Sequence, residues 1–309
     1  MLLLMVLGVA AGMVIPFQTS INSRLGAYTH SSFYASTISF FVGSLCLIII
    51  NACINPHMLT PSYLLNQDFN FYWFTGGLLG VIFLTGNLLL LPRLGASLTV
   101  VMSVSGQIIM GVIIDTFGWF GASTEPFTFL KFIGILCLIL VILLMNYVRN
   151  RTHQHSRPLS FYIWLTIGFV FGFCPPLQTT INSTLGQQVH SSFLASLISF
   201  TTGTLALFIL TLIFHRSLKV YKQHAQHGRL RPFYFIGGFL GMIFVTMNII
   251  LMPHLGAAVT TIVGMLGQML MGVIIDQFGL LGTPRNTITV RKVLGLIAIM
   301  IGIILLRLF

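Results

Sequence analysis

Of the chain's 309 residues, 56% are hydrophobic and only 6% are charged, against about a quarter charged in a soluble domain. So little charge cannot cover a water-facing surface, which excludes a soluble protein and predicts an all-α polytopic protein of the cell (plasma or inner) membrane, with membrane lipid as its surroundings. Fifteen Lys and Arg against four Asp and Glu give a net charge of +11, but the basic residues sit in short segments between apolar runs, as cytoplasmic anchors do, and not on a nucleic-acid-binding face.

The first apolar run, roughly residues 2–23, has no basic leader and no small-residue cleavage pattern, so it reads as a retained helix. Its Gly8 and Gly12 form a small-xxx-small pair suited to close helix packing. Pro16 removes a helical hydrogen bond and predicts a kink, either static or freeing a carbonyl toward a ligand. Gln18 and Asn22, four residues apart, share a face. At His30-Ser31-Ser32 the serines offer a helix cap, and the histidine offers either nothing further or a pH-sensitive gate. The second run covers roughly 32–53, and the loop at 54–70 carries no Lys or Arg. The third run, roughly 71–91, holds Asn87. The fourth, roughly 95–116, holds Gln107 and ends in Ile114-Asp115-Thr116-Phe117-Gly118, where Gly118 suits a helix stop. A fifth run covers roughly 129–148. Asp68 and Glu125 lie in loops, and no role is assigned to them.

From there the chain repeats itself. Residues 176–205 match residues 16–45 at nineteen of thirty positions without a gap. Residues 237–257 and 266–279 likewise repeat 76–96 and 105–118. Polar residues recur with the apolar ones, so the likeness is a duplication and not shared hydrophobicity. The second copy has runs at roughly 160–183, 192–214, 233–252, 256–277 and 290–308. It carries Gly168, Gly172, Pro176, Gln178, Asn182, His190, Asn248, Gln268 and Asp276 at equivalent positions.

Each run is long enough to cross a hydrocarbon core of about 30 Å. Ten helices are therefore expected, as two five-helix repeats, residues 1–150 and 151–309. An odd number of spans inverts the second repeat relative to the first. Placing the N-terminus outside puts thirteen of the fifteen Lys and Arg in the cytoplasm, leaving Lys131 and Arg307 outside. The positive-inside rule thus predicts both termini outside. The charge follows the side and not the ancestral position: Arg24 becomes Thr184, Arg93 becomes His254, and the charge-free loop at 54–70 becomes a basic one at 215–232.

The eight amides Gln18, Asn22, Asn87, Gln107, Gln178, Asn182, Asn248 and Gln268 are candidate substrate-binding residues, the alternative being hydrogen bonds across helix interfaces. They offer donors and acceptors without net charge, which suits a small neutral or zwitterionic metabolite. Asp115 and Asp276 are candidates for gating or proton coupling, or for a structural tie to a nearby backbone or basic group. Cys46, Cys53, Cys137 and Cys174 form no ligand pair, and His215, His224 and His227 are explained by a basic loop at lipid headgroups. No metal site, no cofactor and no catalytic motif is expected, so the chain is not read as an enzyme.

The segments PFQTSINSRLG and PLQTTINSTLG, with Asn87 and Asn248 each five residues before the Pro of a Pro-x-Leu-Gly-Ala, resemble the YdcZ-like family of the drug/metabolite transporter superfamily over nearly the whole chain. The resemblance implies a fusion of two antiparallel halves, and a small-molecule transporter of ten helices around a central cavity. Helices one, three and four of each half would line it, with the fifth peripheral. Better-known members keep both termini in the cytoplasm, whereas the charges here argue the reverse. Alternating access through a central polar cavity is the function expected. A lipid or lipid-linked-intermediate flippase and a non-transporting scaffold or regulatory subunit are the alternatives. The duplication supplies both halves, so a homo-oligomer is compatible but not required.

Overall fold

The structure is a computed structural model that describes residues 1–136, 159–215, 218–224, 228–280 and 297. Most of both fifth apolar runs, the basic segments around 149–157 and 285–292, Cys137, Arg216, His227 and the side chain of Asp276 lie outside the described residues. The helices are α1 (Leu2–Thr29), α2 (Ser32–Ile54), the short α3 (Pro61–Leu65), α4 (Thr75–Phe117), α5 (Leu159–Phe171), α6 (Cys174–Gln188), α7 (Ser192–Phe214), α8 (Gly237–Leu255) and α9 (Ala257–Phe278). Among the described residues six helical stretches are long and apolar enough to span a membrane, with Met102–Phe117 a shorter apolar helix.

α4 is helical over 43 residues, about 65 Å if straight, twice the thickness of a hydrocarbon core. It is not straight. Ser103 Oγ donates to Asn87 Oδ1 at 3.4 Å, whereas sixteen residues of straight helix would separate them by about 24 Å. Leu90 and Met102 also meet at one place, beside Gly168. The segment therefore folds back on itself between these residues, where Pro92 and Gly95 stand and where two spans were expected to part. The equivalent junction in the second copy is an open break at Gly256 (φ 80°, ψ 167°) between α8 and α9.

The first helix of each copy differs from expectation. α1 runs unbroken through Pro16, whereas the expected 160–183 helix stops at Phe171 and restarts at Cys174. Pro176 therefore lies in the opening turn of α6 and not inside a kinked helix. The cause is the doubled Pro175-Pro176: two missing N–H groups would break two helical bonds mid-helix, but cost nothing in a first turn whose N–H groups have no helical acceptor.

Equivalent elements pack reciprocally. Along α2 and α7, Thr37 Oγ1 meets Thr211 Oγ1 at 2.9 Å and Ser44 Oγ meets Thr204 Oγ1 at 3.3 Å, so the two helices run antiparallel. Ser44 and Thr204 are equivalents, as are Phe40 and Phe200, whose ring centroids lie 5.0 Å apart. A pseudo-two-fold axis passes between them. The ring of Phe200 fills the space beside Gly43, and that of Phe40 fills the space beside Gly203. α1 lies on α8 and α9, and α5 with α6 lies on α4. The close approaches are again equivalent: Gly12 rides on the Gly264 carbonyl, Gly172 on the Ser103 carbonyl. A side chain at either glycine would enter the facing backbone, which is the packing role expected of the small-xxx-small pairs.

Each end carries a lid. Residues 55–74 lie against α6 and α7, with Tyr63 Oη donating to the Val189 carbonyl at 3.1 Å and Met58 and Trp73 in the core. The basic segment from Leu218 lies on the end of α1, where Tyr221 N donates to the Tyr28 carbonyl at 2.8 Å and Tyr34 Oη to the Leu218 carbonyl at 2.9 Å. His30 and His190 adopt left-handed φ of 51° and 50°. Beside them Ser31 and Ser191 cap α2 and α7 by accepting from the Tyr34 and Leu194 N–H groups.

Candidate functional site

The amide-bearing faces of α1 and α6 are each set against glycines of the other copy. Gly76 and Gly80 on α4 face Asn182 and Gln178, and Gly237 and Gly241 on α8 face Asn22 and Gln18. The carboxamide oxygens of Asn182 and Asn22 take up volume that a Cβ at Gly76 or Gly237 would need. Their amide nitrogens are fixed from the second helix of their own copy: Asn182 Nδ2 donates to Ser199 Oγ at 2.9 Å, Asn22 Nδ2 to Ser39 Oγ at 3.2 Å. The matching Gly-Gly-x-x-Gly runs at 76–80 and 237–241 are the sequence signal for these contacts. They are legible as part of the repeat, though not as seats for amides.

Five of the eight amides border one cavity: Gln107 from α4, Gln178 and Asn182 from α6, Asn248 from α8 and Gln268 from α9. Gln18, Asn22 and Asn87 do not border it. Phe244, Thr260, Thr261 and Gly264 join the wall, and sequence reasoning had not singled them out, because threonine and phenylalanine are ordinary residues of an apolar helix. Among the described residues no Lys, Arg, Asp or Glu borders the cavity. The amides of Gln107, Gln178, Asn248 and Gln268 make no hydrogen bond to protein among the described residues. Asn182 Oδ1 and Thr260 Oγ1 are buried without a partner. Orphaned polar atoms at membrane depth are costly, so this wall suits an occupant that supplies hydrogen bonds. The room for water-sized occupants is only about 50 Å³, enough for a few waters and far below the few hundred Å³ of a typical ligand pocket.

Asp115 sits beside this cavity's supports. Its Oδ1 accepts from the Ala257 N–H at 2.7 Å and its Oδ2 from the Ala258 N–H at 2.8 Å. The carboxylate of one copy thus caps the first turn of α9 in the other, where free N–H groups and the helix dipole favour negative charge. It fixes the joint from which two cavity walls, α8 and α9, diverge. Just beyond, the Asp115 carbonyl accepts from the Glu125 N–H at 2.8 Å, and Glu125 pairs with the buried Lys131 at 3.0 Å. Glu125, left without a role from sequence, therefore neutralises a buried lysine. Arg93 lies over the Trp164 ring at 3.8 Å, tying the α4 fold-back to α5.

The family described as "Putative inner membrane exporter, YdcZ" matches the chain twice, over residues 3–144 and 163–305. No curated protein matches. A crystal structure of a protein 12% identical in sequence superposes with a TM-score of 0.67, covering 99% of this chain and 96% of that one. At that identity the likeness is one of fold.

Proposed function

The chain belongs to the YdcZ family and is a multi-pass inner-membrane transporter, and we propose that it moves a small neutral or zwitterionic metabolite by alternating access. The proposed frame is ten helices in two inverted five-helix repeats, with the substrate in the central cavity walled by α4, α6, α8 and α9. The family description points to export as the direction. The observation that carries the reading is the cavity itself, bounded by five uncharged amides from both copies and by no charged side chain among the described residues. Charged solutes would find no counter-ion there, whereas amides serve donors and acceptors alike. The small volume suits a closed state of the proposed cycle, in which substrate would enter as α8 and α9 move relative to α4. Asp115 is the residue placed to resist or permit that movement through its hold on Ala257 and Ala258.

Flux of neutral and zwitterionic solutes in proteoliposomes tests the proposal. Replacing Gln107→Leu and Gln268→Leu together removes two amides from the wall, and a loss of about tenfold or more in flux is expected. Unchanged flux in that double variant removes the amides from the mechanism. A clear preference for cations or anions overturns the substrate class.

A further inference from the structure

The two copies have diverged where their third and fourth helices face each other. In the first copy Ser103 Oγ donates to Asn87 Oδ1 at 3.4 Å. The equivalent residues in the second copy are Gly264 and Asn248. No hydroxyl reaches Asn248, which makes no side-chain hydrogen bond among the described residues and lines the cavity with Gly264. Threonine 261 borders the same space where the first copy has Val100 in sequence. Steric need does not explain the glycine: a Cβ at Gly264 would meet nothing nearer than the Phe244 ring at 3.6 Å, an ordinary contact. The same wall holds Thr260, 1% exposed, whose Oγ1 has no partner, whereas an orphaned Oδ1 occurs in both copies, at Asn22 and Asn182. In one copy a hydroxyl reaches the amide oxygen, and in the other the amide is free beside an open space.

We infer that the substrate site is asymmetric: the second copy carries it, Gly264 holds it open, and Ser103 has closed the corresponding place in the first copy. The inference rests on the transport reading for what the site does, but not for where the site is. The occupant it fits is an uncharged polar group with at least one N–H or O–H, seated between Asn248 and Thr260 against the Phe244 ring. Thr260 Oγ1 accepts from that donor, and the free amides of Asn248 and Gln268 serve its acceptors. Gly264 is then a specificity-determining residue, since any side chain there subtracts volume and a serine also takes up the Asn248 amide.

Thiol labelling with methyl methanethiosulfonate, in protein whose four native cysteines are replaced, tests the asymmetry without any substrate. The thiol introduced by Asn248→Cys is expected to react about tenfold faster than that introduced by Asn87→Cys, as a cavity group does relative to one that does not border the cavity. Adding Gly264→Ser slows the former, and adding Ser103→Gly speeds the latter. Equal rates at the two positions overturn the inference. In the native-cysteine protein, Gly264→Ser is expected to keep its unfolding midpoint and lose most flux, while Ser103→Gly keeps flux. A Gly264→Ser protein that folds and transports like wild type also overturns it. Asymmetric labelling without flux for any solute sinks the transport reading and leaves the site standing, whereas flux with symmetric labelling does the reverse.

Discussion

Asp115 shows how a single intramembrane carboxylate can be held by backbone alone. Its two oxygens take the Ala257 and Ala258 N–H groups at 2.7 and 2.8 Å, charge-assisted bonds at the positive end of a helix. Asp115→Ala strands both buried donors, and a loss of about 2–4 kcal/mol is expected, read as a lower unfolding midpoint in detergent. Asp115→Asn keeps one acceptor and should lose roughly half as much; equal midpoints for Asp115→Ala and wild type would show that the cap is not used. The sequence indicated a carboxylate at a helix end with a backbone tie, because the Asp-x-Phe-Gly stop was visible. It did not indicate the partner, because α9 of the other copy is 142 residues away and no local pattern names it. The amides divide in the same way. Their presence at membrane depth was plain from residue type, but which ones face a cavity depends on Gly76, Gly237, Ser103 and Gly264, residues of other helices. Gly76→Ala drives a Cβ into the Asn182 carboxamide and should cost about 1–3 kcal/mol. Gly272→Ala meets nothing within 4 Å and should be neutral or stabilising by up to about 1 kcal/mol. Thermal unfolding of the pair separates glycine needed for contact from glycine that is merely present.

Among the helices, the repeat was the dependable guide where the two copies agree and a misleading one where they differ. The break near Pro92–Gly95 was readable because proline followed by glycine ends a span in either copy. α4 accordingly folds back, although helical bonding runs through it. A short bis-methanethiosulfonate linker should join Leu90→Cys to Met102→Cys, since both side chains reach the space beside Gly168. In a straight helix these positions lie about 18 Å apart, so failure to link, checked by mass, would restore the unbroken rod. The interruption at Gly172–Phe173 was written in Cys174-Pro175-Pro176, but alignment with the single Pro16 of α1 suggested one continuous kinked helix. The physical difference is one extra missing N–H, which turns a tolerable bend into a restart.

At the scale of the whole molecule, reciprocal contacts and charge together argue for orientation. Asn22 meets Gly237 near the end of α1 that carries the basic lid, and Asn182 meets Gly76 near the end that carries the apolar lid of residues 55–74. Equivalent contacts thus sit toward opposite ends, as antiparallel packing of α2 against α7 requires. The chemistry of the two ends is unequal. Lys219, Lys222, Arg229 and Arg231 belong to the lid that touches Tyr28 and His30, whereas residues 55–74 supply Met58, Trp73 and Tyr72 with no Lys or Arg. Divergence between two copies that once shared one sequence has therefore gathered positive charge in one lid and left none in the other, and anionic cytoplasmic lipid attracts the basic one. Both termini are expected outside. The exposed Ser62 and Lys222 report the two lids directly. In intact cells a membrane-impermeant maleimide should label the thiol from Ser62→Cys, and label that from Lys222→Cys only after permeabilisation. The opposite pattern would put the basic lid outside and overturn the orientation. Labelling of both in intact cells would mean that the two lids face one side, which an inverted pair of repeats cannot produce.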